Sequence, residues 1–244
     1  MSSLKQALHD QFFDNLGLQI NKGVVEVLDF YDNEQKSLKI SGNVAEIGVA
    51  EGSFFIPLAL CCESDELAIA LDVFDESELN WNPTGGRSSI ETIRKVAELA
   101  RVSPIVRIIK ADSLHVEASR IISTGADRKV RLFSIDGAHS TSHTVNDLTV
   151  AGEAICPGGI VILDDVQNWG WPGVIDGFAR YSLLQPYPRL LPFFLFGNKM
   201  LLTTACHHRQ MLEAAVRYTE GALGRIAEHT YRISRFFGSD VVGF

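Results

Sequence analysis

Cysteine is scarce in this chain. Its 244 residues include four cysteines, Cys61, Cys62, Cys156 and Cys206, and none has the spacing of a metal-binding cysteine motif. At this size that argues against a disulfide framework and for buried free thiols. Long apolar runs are missing too, and nothing reaches the roughly 20 residues that cross a bilayer. The opening residues, MSSLKQALHDQFFDN, lack the charged-then-apolar pattern of a secretion signal, so a cytoplasmic location is the expectation. Basic charge is in deficit, with 22 Lys and Arg against 30 Asp and Glu and a net charge of −8. Such a balance speaks against a broad nucleic-acid or anionic-membrane surface. The G-x-G-x-x-G fingerprint of dinucleotide binding is absent, which disfavours a nicotinamide oxidoreductase. A G-x-S-x-G elbow and a paired Cys/His context are absent as well, which disfavours a serine or cysteine nucleophile. No repeat, low-complexity tract or linker divides the chain.

What remains is an ordinary globular composition, 46% hydrophobic and 21% charged, enough for one sizeable core. Residues 1–36 carry two amphipathic helical stripes, one with Leu4, Leu8, Phe12 and Phe13, the other with Val24, Val25, Val27, Leu28 and Tyr31. They read as a helical lead-in packed on a sheet edge or over a pocket mouth. From Asn43 the pattern alternates. Short apolar runs at 44–47, 67–71, 105–109, 130–135 and 159–163 read as buried parallel strands, with helices between them. Pro157-Gly158-Gly159 reads as the turn into the fifth strand. A hairpin follows, 190–196 and 200–204 around Gly197-Asn198-Lys199. The tail reads as helical and then irregular, and locally basic through Arg217, Arg225, Arg232 and Arg235.

In an open α/β sheet, ligands bind beyond the carboxyl ends of the strands, and several of these strands end in acid. The first runs into Glu46-Ile47-Gly48-Val49-Ala50-Glu51-Gly52-Ser53. Gly48 and Gly52 permit a sharp turn and a close ligand approach, and Glu46 suits a ligand with a positive charge or an amino group. The second strand ends at Asp72, about twenty residues on, where an acid can take two ribose hydroxyls or simply close the strand. The third leads to Asp112 and Ser113. Asp112 can meet an adenine amine or cap the following turn. Asn80, Trp81 and Asn82 either cover the site or cap the next helix. The fourth strand ends at Asp136, with His139 in the loop behind it. The fifth ends at Asp164-Asp165, ahead of Trp169 and Trp171, which either wall a substrate or pack beneath it. Three carboxylates at one edge repel one another unless a cation joins them. Asp136, Asp164 and Asp165 form an oxygen set for Mg²⁺ or a similar ion. The alternative is that Asp136 lines a cofactor pocket and Asp164-Asp165 cap a helix. His139 has the ordinary pKa of a general base, or serves as a hydrogen-bonding post or a further ligand.

Five motifs in order, EIGVAEGS at 46–53, LDVF at 71–74, KADS at 110–113, IDGAHS at 135–140 and PGGIVILDD at 157–165, resemble those of class I S-adenosylmethionine-dependent methyltransferases. The last two are similar to metal-dependent small-molecule O-methyltransferases and cephalosporin-hydroxylase-like proteins. The resemblance implies a doubly wound, mostly parallel seven-stranded sheet with its last strand inserted antiparallel. It implies a lead-in or lid at 1–42, a cofactor-binding catalytic part at 43–205 and a helical extension at 206–244, together one domain. It implies S-adenosylmethionine as cofactor, with Glu46, Gly48, Gly52 and Ser53 around its methionine part, Asp72 at the ribose, Asp112 and Ser113 at the adenine, and Asp136 beside it. Asp136, Asp164 and Asp165 would hold the divalent ion, and His139 and Asp136 would act on the hydroxyl of a small acceptor such as a sugar, polyketide or phenol. A cofactor-binding or hydroxylase-accessory protein of the same fold is the alternative. Apolar terminal helices leave room for a homodimer.

Overall fold

The computed structural model describes residues 4–9, 12–76, 89–184, 188–223 and 231–244. Asn80, Trp81, Asn82 and Arg225 lie outside them. Among the described residues, no helix is long and apolar enough to cross a membrane.

Among the described residues, nine strands make one sheet: β1 (Asn43–Ile47), β2 (Ala68–Asp72), β3 (Val106–Lys110), β4 (Val130–Ile135), β5 (Ile155–Leu163), β6 (Leu190–Phe196), β7 (Lys199–Thr204), β8 (Arg232–Phe236) and β9 (Ser239–Gly243). Their order is β3-β2-β1-β4-β5-β7-β6-β9-β8. The first five pair in parallel, and β7 runs antiparallel between β5 and β6. That is the doubly wound arrangement expected, with two strands more than the seven foreseen. The additional pair lies in the tail that reads as irregular chain. β9 pairs with β6, and β8 forms the outer edge.

Helices cover both faces. α3 (Lys22–Ser37), α4 (Phe55–Leu60), α5 (Ile90–Leu99) and α9 (His208–Leu223) lie on one side, and α6 (Ala118–Thr124), α7 (Thr141–Ala154) and α8 (Pro172–Leu184) on the other. Two short helices, α1 (Leu4–His9) and α2 (Phe12–Asn15), precede α3. Neighbouring strand residues divide between the two cores: Val44, Leu132 and Ile160 face α3 and α4, whereas Ala45, Phe133 and Val161 face α7 and α8. Both faces are apolar because side chains alternate across a strand, so the strands read as unbroken hydrophobic runs.

Local chemistry sets the element ends. Ser140 caps α7, its side chain accepting from the His143 N–H, and Ser89 caps α5 by accepting from Thr92. α8 begins at Pro172, whose fixed φ suits a first helical position. Pro157-Gly158-Gly159 does not turn into β5 but lies within it, and the register against β4 shifts there. A proline lacks the N–H a regular ladder needs, so it is accommodated at an irregularity.

At the amino end of the sheet, buried Arg131 bonds Glu66 Oε1 and Oε2 at 3.0 Å each and Asp32 Oδ1 at 2.8 Å. Gln35 donates to the carbonyls of Arg131 and Gly158. These contacts fasten α3 to the sheet at the end away from the acids. Cys61 and Cys62 are buried free thiols, as expected, while Cys206 is exposed.

Candidate active site

The strand ends are stitched into one row. Asp136 N donates to Ile47 O (2.8 Å), Asp164 N to Ile135 O (3.0 Å), and Gly48 N to Leu71 O (2.9 Å). Register therefore brings the ends of β2, β1, β4 and β5 side by side, and with them Asp72, Gly48, Asp136 and Asp164.

The turn after β1 requires glycine at its first position. Gly48 has φ +83°, and a Cβ there would lie 1.8 Å from the Asp136 carbonyl oxygen. Any side chain would drive β1 and β4 apart. Gly52 (φ +91°) and Ser53 complete the turn into α4. Asp72 lies against it, with Oδ2 accepting from Ala50 N and Oδ1 from Phe74 N, each at 2.9 Å.

Glu46 is buried (2% exposed). Its Oε1 accepts from Ser134 Oγ at 3.0 Å, and its Oε2 has no hydrogen-bond partner among the described residues. Burial, with the charge of Asp136, pushes this carboxyl well above the usual range, against the Ser134 bond. An unpartnered buried carboxylate oxygen is costly unless a ligand completes it. A group bearing N–H donors and positive charge would complete its bonding.

Asp112 serves as a cap, its Oδ1 accepting from Leu114 N at 3.0 Å, and it also meets His143 Nε2 at 3.2 Å. Ser113 is buried beside it, and its carbonyl accepts from Asn146. Both belong to the same carboxyl edge, one strand beyond Asp72.

The second half of the site centres on His139. Its Nε2 lies 3.0 Å from Asp136 Oδ1 and 3.1 Å from Asp165 Oδ2. The ring stacks on Trp171, with centroids 4.9 Å apart and planes at 21°. Trp171 thus packs beneath the site, whereas Trp169 is 96% exposed at its rim. His139 and Asp165 each have φ +58°, a left-handed backbone that costs non-glycine residues energy and gathers at functional sites. A Cβ on Gly173, at the start of α8, would lie 2.5 Å from the His139 carbonyl oxygen, so that helix holds the loop closely. Burial opposes protonation of His139, but the bonds to Asp136 and Asp165 outweigh it and raise the pKa to about 9. Burial likewise opposes ionisation of Asp165, yet the bonds from His139 and Asn168 hold its carboxyl below the usual range.

Asp164 stands apart from this cluster. β5 and β7 pair with Leu163 opposite Met200, which sets Asp164 opposite Lys199, and the two form an ion pair. Its other oxygen accepts from Asp165 N at 2.7 Å. Burial and the charge of Asp136 raise its pKa despite Lys199. The repulsion expected among three acids is thus partly met by the chain's own cations, Lys199 and His139. Asp136, His139 and Asp165 bring ligand atoms within 4.8 Å of one another, and Asp164 is not in that group. Lys199 and Asn198, unmarked by any motif, reach the acids through the hairpin turn: Asn198 Nδ2 donates to Asp165 Oδ1 at 2.7 Å. Asn168 donates to the same oxygen at 3.1 Å. The register of the hairpin against β5 was the signal that could have found Lys199. A narrow apolar crevice lined by Val24, Val27, Leu28, Ile162 and Phe196 runs beneath α3 to Lys199.

The fold is shared with known proteins. A family model described as a methyltransferase domain matches residues 45–166, half of the chain. No curated protein matches. Among solved structures, the O-methyltransferase NovP is 14% identical over 74% of this chain and 80% of its own, with a TM-score of 0.58. CalS11, a calicheamicin methyltransferase, is 17% identical over 82% and 89%, with a TM-score of 0.55. An O-methyltransferase from Bacillus cereus, solved in complex with SAH, is 18% identical over 84% and 91%, with a TM-score of 0.52. The family match over the stretch from β1 to the acids after β5, on a sheet with β7 inserted antiparallel, places this chain in the methyltransferase-domain family, among the class I S-adenosylmethionine-dependent methyltransferases.

Proposed function

We propose that this chain methylates a hydroxyl group of a small molecule, with a divalent cation assisting at the acceptor. The observation that carries the reading is the unpartnered, buried Oε2 of Glu46, on the same edge as Asp72 and the Asp136–His139–Asp165 cluster. One half of the edge suits a zwitterionic nucleoside donor, and the other an acceptor oxygen.

S-adenosylmethionine supplies a sulfonium methyl group. Glu46 would take its ammonium, Asp72 its ribose hydroxyls, and Asp112 with Ser113 its adenine. Methyl transfer to oxygen needs alignment, exclusion of water and removal of the hydroxyl proton. Asp136, with a side chain 37% exposed against 15% for Asp165, is the more open carboxylate to receive that proton. His139, with its pKa near 9, is an imidazolium at neutral pH; in that form it donates and positions, and it acts as a base only after losing its proton. A divalent ion, when bound, would lower the pKa of an acceptor hydroxyl, and Asp136 and Asp165 would be the carboxylates to hold it. CalS11 is described as a TDP-rhamnose 3'-O-methyltransferase, and NovP and the Bacillus cereus protein as O-methyltransferases. Those descriptions support a hydroxyl acceptor and make a sugar the first class to screen.

Calorimetry with S-adenosylhomocysteine, with and without Mg²⁺, tests the donor half. Saturable one-to-one binding is expected, and no binding under either condition refutes the proposal.

A further inference from the structure

We infer that Lys199, carried in by the β6–β7 hairpin, binds the carboxylate of the donor's methionine part. The inference rests on the donor reading above and supplies a partner for the ligand's negative group.

Chemistry sets the need. An amino acid carries its ammonium and its carboxylate on one carbon. A ligand whose ammonium meets Glu46 therefore brings its carboxylate to the same end of β1. That end lies on an acidic edge, with Asp72, Asp136 and Asp164 at the neighbouring strand ends. An anion arriving there is repelled unless a cation meets it.

Register sets the supply. Glu46 pairs with Ser134, Ser134 with Ile162, and Ile162 with Leu201, so these four form one row across β1, β4, β5 and β7. Side chains two residues apart share a face of a sheet. Asp164 lies two residues beyond Ile162, and Lys199 lies two before Leu201 on the antiparallel strand. Both therefore stand on the face of Glu46, one step nearer the carboxyl edge. Three strand spacings, about 14 Å, separate β1 from β7, and the long Lys199 side chain closes part of that gap. Its Nζ lies over the Phe54 ring, 5.5 Å from the centroid, and Phe54 directly follows Ser53 of the turn after β1. Burial and then Asp136 raise the Glu46 pKa, and Lys199 is among the groups that oppose them.

Lys199 is held without being used up. Its side chain is 12% exposed and forms the ion pair with Asp164. An ammonium has three donors, so it can keep Asp164 while a second carboxylate joins. Among the described residues of this edge, His139 is engaged with Asp136 and Asp165, His143 with Asp112, and Lys110 with Glu76. Sheltered from water, an ammonium–carboxylate contact is stronger than the same pair at the surface.

Titration calorimetry on the full chain compares S-adenosylhomocysteine with S-adenosyl-3-thiopropylamine, which keeps the amine and lacks the carboxylate. The wild type should bind S-adenosylhomocysteine at least about tenfold more tightly. Lys199→Met should weaken S-adenosylhomocysteine by at least about tenfold and the amine by no more than about threefold, so the preference disappears. The double variant Lys199→Met with Asp164→Asn leaves no stranded charge and should lose the preference in the same way. Lys199→Arg, which keeps the cation, should retain it. A wild type without the preference overturns the inference, as does a preference that survives in both methionine variants. Equal weakening of the two ligands overturns it too, since that marks a structural role. In each of those cases S-adenosylhomocysteine binding by the wild type leaves the donor reading standing. A wild type that binds neither ligand refutes that reading and this inference with it.

Discussion

Replacing Asp147 by asparagine should make the protein more stable at alkaline pH and leave it nearly unchanged at acid pH. Asp147 lies on α7 beneath the loop that carries Asp136 and His139. It is 1% exposed, its Oδ1 has no hydrogen-bond partner among the described residues, and a Cβ on Gly137 would lie 3.1 Å from its Oδ2. Burial raises its pKa from the ordinary 3.8 to about 7, against a bond with Ser113. Below about pH 4 the folded and unfolded chains are both protonated here, and no stability is lost. Between about pH 4 and 7 the unfolded chain releases the proton and the folded chain keeps it, so stability falls as pH rises; above pH 7 the deficit is constant. A rise from 3.8 to about 7 corresponds to about 4 kcal/mol at about 1.4 kcal/mol per pH unit. Relaxation around the ionised group reduces this, so about 2–4 kcal/mol is expected. Asparagine matches the shape without the ionisation. Urea denaturation of both proteins from pH 4 to 8 should show a difference that opens in favour of Asp147→Asn and levels off above pH 7. Parallel profiles, or an asparagine variant less stable at pH 8, would refute the reasoning.

Three further outcomes follow from the geometry. Gly48→Ala places a Cβ on the Asp136 carbonyl in a left-handed backbone; a loss of at least about 2 kcal/mol and of S-adenosylhomocysteine binding is expected, read by thermal unfolding and calorimetry. Arg131→Met strands the buried Asp32 and Glu66, and denaturation should show about 3–5 kcal/mol lost, whereas an unchanged midpoint would dismiss the network as a fastener. Glu46→Gln keeps an oxygen for Ser134 but removes the charge, so affinity for S-adenosylhomocysteine should fall by about tenfold or more with the fold intact; an unaltered affinity would remove Glu46 from the donor pocket.

The strands that carry the site were legible because parallel strands are buried on both faces and read as apolar runs ending in acid. Gly48 was legible because few other residues turn so sharply after a strand. The separation of Asp164 from Asp165 was implicit in the two-residue period, but their adjacency in sequence suggested a shared task. Lys199 could not be found locally, since it meets Asp164 only through the antiparallel register of β7 on β5. β8 escaped notice because the stretch RISRF is exposed along nearly its whole length and shows no alternation. The pKa of His139 was out of reach as well, because it depends on two carboxylates arriving from different strand ends.

The central claim is that one carboxyl edge joins a methyl-donor pocket to an acid–histidine acceptor site. A crystal structure with S-adenosylhomocysteine tests it most directly. The ligand amine is expected on Glu46, the ribose hydroxyls on Asp72, and the sulfur turned toward Asp136 and His139. A ligand bound elsewhere, or with its sulfur turned away from those two side chains, would contradict it.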